Sequence, residues 1–221
     1  MKIPSLLFFS MLPFLVAEVP QVEPETGLPL VFQDDFEKGR DRWEVTDESS
    51  WKHHQQGSNH VFSIIKRKSS YVPKYRSPGH IAIIKNLELS DFVLIYHVKG
   101  PMPKNANHRD SCAFFNYQSS NEFYYVHTGL KPDPNSGQIM IVNNAARTPL
   151  TKNKNLTPWK VDTWHQVKVV RDSKKGSIEI YFDDMNKPYM KTNSKTFGKG
   201  RIGIGSFDDY NDFDNVRVYG R

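Results

Sequence analysis

Apolar residues recur at every second position along almost the whole chain, a period that fits half-buried strands and not helices. Phe92, Leu94, Tyr96 and Val98 alternate with other residues, as do His165, Val167 and Val169, then Ile178, Ile180 and Phe182. Phe62 and Ile64, Ile81 and Ile83, Ile202 and Ile204, and Val216 and Val218 give shorter versions of the same pattern. In two stretches both registers carry large side chains: Phe123, Tyr125 and His127 share one face and Tyr124 and Val126 the other, and Ile139 and Ile141 oppose Met140 and Val142. Between the runs lie Ser77-Pro78-Gly79, Gly100-Pro101, Lys174-Lys175-Gly176 and Asn186-Lys187-Pro188, all turn or loop chemistry. Many short strands of this kind predict an all-β fold, a two-sheet antiparallel β-sandwich with Greek-key or jelly-roll connections. Gly200, Gly203 and Gly205 fall inside such a run with no helix after them, so they predict close sheet packing and not a phosphate loop.

The start of the chain is different. Lys2 precedes an apolar run from Ile3 to Val16, and a small residue, Ala17, follows. That order is the one of a secretory signal peptide over residues 1–17, and the run is short for a membrane span. Residues 18–28 are rich in Pro and Glu and predict a linker, which leaves 29–221 as one domain. The expected location is therefore secreted or periplasmic. A single cysteine, Cys112, excludes an internal disulfide, and its apolar strand context predicts a buried, inert thiol. The formal charge of +6 is scattered and not gathered into a stripe, which together with export argues against nucleic acid as a partner.

Several segments in sequence order resemble the concanavalin A-like lectin/glucanase (LamG, jelly-roll) superfamily. They are Val31-Phe32-Gln33-Asp34-Asp35-Phe36-Glu37 with Trp43, Trp164 to Arg171 followed by Ile178 to Asp183, and the ending Phe213-Asp214-Asn215-Val216-Arg217-Val218. The chain is also similar to bacterial family 16-like glycoside hydrolase and 3-keto-disaccharide hydrolase domains. The resemblance implies a domain directed at an oligo- or polysaccharide, acting as a monomer, and it leaves open whether the sugar is cut or only held. It also implies a structural calcium ion between the first and last strands, for which Asp34 and Asp214 are the candidate ligands. The Glu-x-Asp-x-x-Glu run of true family 16 hydrolases is absent, and the nearest substitute, Glu179 with Asp183, predicts an ordinary solvent edge.

The densest polar cluster lies in the middle of the chain. Arg109, Tyr117, Asn143 and Arg147 are candidate substrate-binding residues, since guanidinium and amide groups bond sugar hydroxyls or a carboxylate and tyrosine stacks on a sugar ring. Tyr125 and His127 project the same way and are the candidate catalytic pair, for β-elimination on a uronate or for hydrolysis with Asp110 or Glu122. The competing reading of the same residues is a polar sheet face with satisfied hydrogen bonds and buried aromatics, as in a LamG-like structural or adhesion domain. His53, His54 and His60 match no metal spacing and predict exposed loop histidines.

Overall fold

The computed structural model describes residues 19–100 and 109–221, so the signal-peptide reading of 1–17 lies outside the described residues. In chain order the strands are β1 (Leu30–Asp34), β2 (Trp43–Val45), β3 (Trp51–Gln56), β4 (Asn59–Ile64), β5 (His80–Leu89), β6 (Phe92–Lys99), β7 (Cys112–Ser119) and β8 (Glu122–His127). They continue with β9 (Gln138–Asn143), β10 (Thr148–Pro149), β11 (Trp164–Asp172), β12 (Ser177–Phe182), β13 (Met190–Asn193), β14 (Gly200–Ser206) and β15 (Asn211–Gly220). All pairs are antiparallel. One sheet runs β13-β12-β11-β6-β15-β4-β3, with β1 also paired to β15; the other runs β10-β9-β8-β7-β14-β5-β2. Neighbours in each sheet are mostly distant in sequence, and the chain crosses between sheets repeatedly, as expected for a jelly roll.

The period-two pattern decides which side chains enter the space between the sheets. Phe62, Leu94, Phe115, Tyr124, Ile204 and Val218 are among the buried residues of that inner core. One charge is buried with them. Arg171 of β11 donates from Nε to Asn116 Oδ1 of the opposite sheet at 3.1 Å and from Nη2 to the Phe197 carbonyl at 3.1 Å. Asn116 accepts this bond from a left-handed backbone (φ 43°), where an Asn is tolerated and most residues are not.

A second apolar layer lies on the outer side of the seven-stranded sheet. Ile81, Ile83, Phe114, Phe123, Tyr125 and Met140 belong to it, and all are nearly inaccessible to solvent. The strand β8 is therefore buried on both faces, which explains why its sequence shows no polar register. Gly203 and Gly205 sit in β14 within this layer. A Cβ on Gly203 would lie 2.2 Å from the Ala82 carbonyl, and one on Gly205 2.0 Å from the His80 carbonyl. The glycines permit the close packing expected from the sequence.

Residues 65–79 connect β4 of one sheet to β5 of the other as an extended strap. Tyr71, Pro73 and Tyr75 are half-buried while Val72, Lys74 and Arg76 are exposed, an alternation that turns one side toward the protein. Asp47, buried at the start of a 3-10 turn (Glu48–Ser50), fastens the strap. Its carboxylate accepts from Ser50 Oγ at 2.6 Å, from Ser49 N at 3.1 Å and from Ser70 N at 2.7 Å. At the far end the Arg147 amide donates to the Arg76 carbonyl at 3.1 Å. The segment expected to be a linker is also fastened. Glu23 and Leu28 are buried, and Glu23 accepts bonds from Thr26 N and Oγ1 at 2.7 Å. Among the described residues no helix is long and apolar enough to cross a membrane.

Two outcomes follow from this packing. Gly203→Ala and Gly205→Ala are each expected to lower stability by about 1–3 kcal/mol, the usual range for forced overpacking, in urea unfolding. An unchanged midpoint would contradict the close approach of β5 and β14. The hydrogen bond from Ser50, followed by that from Ser70 N, holds the Asp47 carboxyl well below the usual range. A carboxyl depressed in the folded state contributes stability above its unfolded pKa of about 3.9 and loses it as pH falls further. Asp47→Ala is expected to cost on the order of 2 kcal/mol at neutral pH and to flatten the acid limb of the stability profile below about pH 4. An acid limb parallel to that of the wild type would show that Asp47 does not carry it.

Candidate functional site

Three of the sequence-predicted site residues meet at one end of the outer layer. Tyr125 and His127 follow one another on the outer side of β8, with ring centroids 6.2 Å apart. Phe207, just beyond β14, stacks on His127 at 5.8 Å with an interplanar angle of 10°. The Arg147 guanidinium lies 4.0 Å from the Phe207 ring centroid, and Arg76 of the strap stands over the same ring at 5.6 Å. The hydroxyl of Tyr125 and Nε and Nη1 of Arg147 are buried there without a hydrogen-bond partner. Burial pushes the Tyr125 phenol far up and the nearby Arg147 opposes it, so the phenol stays protonated at neutral pH.

His127 is fully engaged. Its Nδ1 lies 3.0 Å from the Asn135 carbonyl and its Nε2 3.4 Å from Asp110 Oδ2. Asp110 accepts from Ser206 Oγ at 2.7 Å and from Phe207 N at 2.8 Å through Oδ1. Burial alone would raise the Asp110 carboxyl, but His127 and these hydrogen bonds outweigh it and hold the carboxyl low. Beside it, Asp209 is pushed up to about 7 by burial and by the Asp110 and Asp208 carboxylates, with Arg67 opposing. Cys112 is buried, as expected from the sequence, and burial followed by the Asp110 charge pushes its thiol well up.

The remaining predicted residues lie elsewhere. Arg109 is buried and donates to the Trp159 carbonyl at 3.4 Å, on the inner-core side of the sandwich end. Asn143 is exposed at the end of β9, opposite Glu122 and away from the His127 end of β8. Tyr117 belongs to the outer layer but sits near its other end, under Arg201, whose Cζ is 5.3 Å from the ring centroid. Glu179 and Asp183 lie on or beside β12 of the other sheet, where Glu179 accepts from Tyr181 and Asp183 from Gln166 N. His53, His54 and His60 are half-buried residues of the paired strands β3 and β4, not exposed loop residues. The His53 and His60 rings stack 5.2 Å apart, and His60 meets Glu37 at 2.8 Å.

The expected calcium ligands also take protein donors. Asp34 accepts from Phe36 N at 3.0 Å and Trp43 Nε1 at 2.9 Å; Asp214 accepts from Asn215 N at 2.6 Å and Asn59 Nδ2 at 2.9 Å. Each carboxylate keeps lone pairs beyond these bonds, so the donors and a calcium ion are compatible.

Open space on the outer side of the seven-stranded sheet lies beyond Tyr117. A hollow of about 650 Å³ is lined by Glu44, Lys85, Asn86, Glu88, Lys199 and Arg201. Glu44 and Arg201 project outward from β2 and β14 and pair at 3.1 Å, and Glu88 sits opposite Arg201 across the β5–β14 ladder. Asn86 occupies a left-handed backbone (φ 56°) where the β5–β14 register shifts, and this irregularity forms the rim. Tyr117 lies beneath Arg201, a lining residue; burial, with neighbouring Tyr71 adding and Arg201 opposing, pushes its phenol up to about 12. Sequence reasoning missed these residues because they come from β2, β5 and β14, far apart in the chain, and only the sheet order brings them together. A second hollow of about 450 Å³ lies by β1 and β15 and includes Asp34, Asp35, Arg42, His97 and Arg217.

No protein-family model matches the chain, and no curated protein does. Solved structures do. The carbohydrate-binding module CBM66 from Bacillus subtilis superposes with a TM-score of 0.58 at 15% identity, over 81% of this chain and 96% of that one. Domain 4 of AbnA, a GH43 extracellular arabinanase from Geobacillus stearothermophilus, in complex with arabinotriose, gives 0.53 at 8% identity, over 86% and 92%. The Bacillus licheniformis β-glucanase gives 0.52 at 13%, over 86% and 98%. At these identities the likeness is one of fold. The chain is a concanavalin A-like jelly-roll sandwich, as its strand pattern and segment order led us to expect.

If Arg147 and Phe207 hold the covered end closed, Phe207→Ala is expected to expose the outer layer and cost on the order of 1–2 kcal/mol, less than a fully buried phenylalanine because Phe207 is half-buried. The measurement is thermal unfolding together with binding of a hydrophobic dye. A stable variant that binds no dye would contradict this role.

Proposed function

We propose that this chain is an exported carbohydrate-binding domain that holds an oligo- or polysaccharide in the polar hollow of its seven-stranded sheet. One observation carries the reading. The open part of that face presents carboxylate, amide, ammonium and guanidinium groups from three strands or their ends, with Tyr117 under one guanidinium, in a volume suited to a few sugar rings. Such a set donates to and accepts from hydroxyls in every direction, while the Glu44–Arg201 pair keeps the local charge compensated. The fold neighbours support the sugar-directed sense, since one is titled a carbohydrate-binding module and another is a domain in complex with arabinotriose. Export rests on the sequence reading of residues 1–17, and a monomer suffices because the hollow is built within one chain.

Holding is favoured over cutting. Tyr125 is buried with a phenol pushed upward, and both nitrogens of His127 are engaged, so neither is presented to a polymer. A hydrolase would need two carboxylates placed across the scissile bond, one of them free to donate a proton. In the hollow, Glu44 is paired to Arg201 and Glu88 lies opposite the same residue. The alternative is a structural or adhesion domain without a sugar site, and the closed aromatic layer is the observation in its favour.

A panel of immobilised plant, algal and bacterial polysaccharides distinguishes these readings. The mature chain is expected to be retarded by at least one of them, with Arg201→Ala and Glu88→Ala weakening binding roughly tenfold or more through lost charge-assisted hydrogen bonds. Glu179→Ala, on the other sheet, is expected to bind like the wild type. Retardation by no polysaccharide would leave the adhesion reading standing, and release of sugars by the wild type but not by Glu88→Gln would replace binding with hydrolysis.

A further inference from the structure

At the covered end of the sheet, remote in role from the hollow, three different metal-ligating side chains meet. Asp110 lies at the entry to β7, Cys112 is the first residue of β7, and His127 is the last residue of β8. Cys112 and His127 are directly opposed across the β7–β8 ladder. A carboxylate oxygen of Asp110, Cys112 Sγ and a ring nitrogen of His127 all lie within 4.8 Å of one another, and all three residues are buried. We propose that Asp110, Cys112 and His127 form a binding site for one zinc-class transition-metal ion per chain.

The donor set is the first argument. Thiolate, imidazole and carboxylate together suit borderline-soft divalent ions and are a poor match for calcium or magnesium, which take oxygen alone. The second argument is preorganisation. A carbonyl oxygen can only accept, so the contact of His127 Nδ1 with the Asn135 carbonyl at 3.0 Å puts the proton on Nδ1. Nε2 faces Asp110 Oδ2, so a metal ion would take the place of the proton between them, with the Nδ1–carbonyl contact as the usual outer arrangement of a metal-bound histidine. Asp110 is held in the same way. Its Oδ1 is committed to Ser206 Oγ and Phe207 N, and its Oδ2 faces the imidazole. Phe207 stacked on the imidazole fixes the ring plane.

The third argument is a distance. Nε2 and Oδ2 are 3.4 Å apart. That is long for a charge-assisted hydrogen bond, which closes to about 2.7–2.9 Å. It matches two ligands on one tetrahedral ion, since zinc–nitrogen and zinc–oxygen bonds of about 2.0–2.1 Å place the two atoms about 3.3–3.4 Å apart. Two further carboxylates, Asp208 and Asp209, lie within the same reach of Asp110, opposed by Arg147 and Arg76 on the Phe207 ring and by Arg67, 3.7 Å from Asp209. Three protein ligands leave one position for Asp208 or a small exogenous ligand. Bound there, the ion would tie β7, β8 and the turn after β14 together. The inference does not depend on the sugar reading.

The test uses the mature chain, unfolded with chelator and refolded with ZnCl2 or CoCl2, because the ligands are buried. One zinc per chain is expected by elemental analysis after desalting. The cobalt form is expected to show the intense absorption of a cysteine thiolate bound to tetrahedral Co2+. Cys112→Ser should abolish that absorption, and Cys112→Ser and His127→Gln should each weaken zinc binding by more than roughly 100-fold, beyond the loss of an outer partner. His60→Gln, which alters the surface His53–His60 pair, should change neither. Zinc retention undiminished by the Cys112 and His127 substitutions, or lost with His60→Gln, would overturn the site. If those variants fail to refold, the cobalt spectrum of the wild type decides: folded protein without a thiolate-to-cobalt band contradicts the proposal.

Discussion

The structure depends on burying both faces of one sheet. A two-sheet sandwich needs only its inner faces dry, yet the outer face of the seven-stranded sheet is also packed with Ile81, Ile83, Phe114, Phe123, Tyr125 and Met140. A layer of this kind exposed to water would be a large apolar patch. The strap of residues 65–79 runs from one sheet to the other with Tyr71, Pro73 and Tyr75 turned inward, and it is pinned by Asp47 at one end and by the Arg76–Arg147 backbone bond near the other.

The layer also sorts the polar chemistry. Where it is covered, Asp110, Cys112 and His127 are held dry and rigid by Ser206, Phe207 and the Asn135 carbonyl, an environment suited to holding an ion and poor for meeting a polymer. Where the layer ends, past Tyr117, the outward positions of β2, β5 and β14 become Glu44, Lys85, Glu88 and Arg201, and the face opens into a hydrated hollow. One sheet thus carries two chemically distinct regions, and the aromatic residues mark the border between them.

Much of the fold was legible in the sequence, because alternation reports directly on which face of a strand is dry. The strands from Phe92, Trp164 and Ser177 lie where that pattern put them, and the glycines of β14 pack as closely as their position implied. The stretch around Phe123–His127 was legible only in part. Large side chains in both registers signal burial on both faces, yet nothing in them says what covers the outer one. The strap's short alternation of Tyr71, Pro73 and Tyr75 forms no sheet ladder, and its place is set only in three dimensions. The shared side of Tyr125 and His127 followed from strand periodicity, whereas Arg147 lies between β9 and β10, and Arg109 precedes β7 and turns toward Trp159, directions no periodicity encodes. The hollow was invisible for a similar reason: its members lie from Glu44 to Arg201, and only the sheet order makes them neighbours.

Hydroxyl-radical footprinting, read tyrosine by tyrosine by mass spectrometry, addresses the covered outer layer most directly. Tyr71 and Tyr75, half-exposed on the strap, should be oxidised readily, while Tyr125, fully enclosed, should stay protected until the chain unfolds. Oxidation of Tyr125 in the folded protein at the rate of the strap tyrosines would mean that this face stands open to solvent, and the division into a dry end and a hydrated hollow would be wrong.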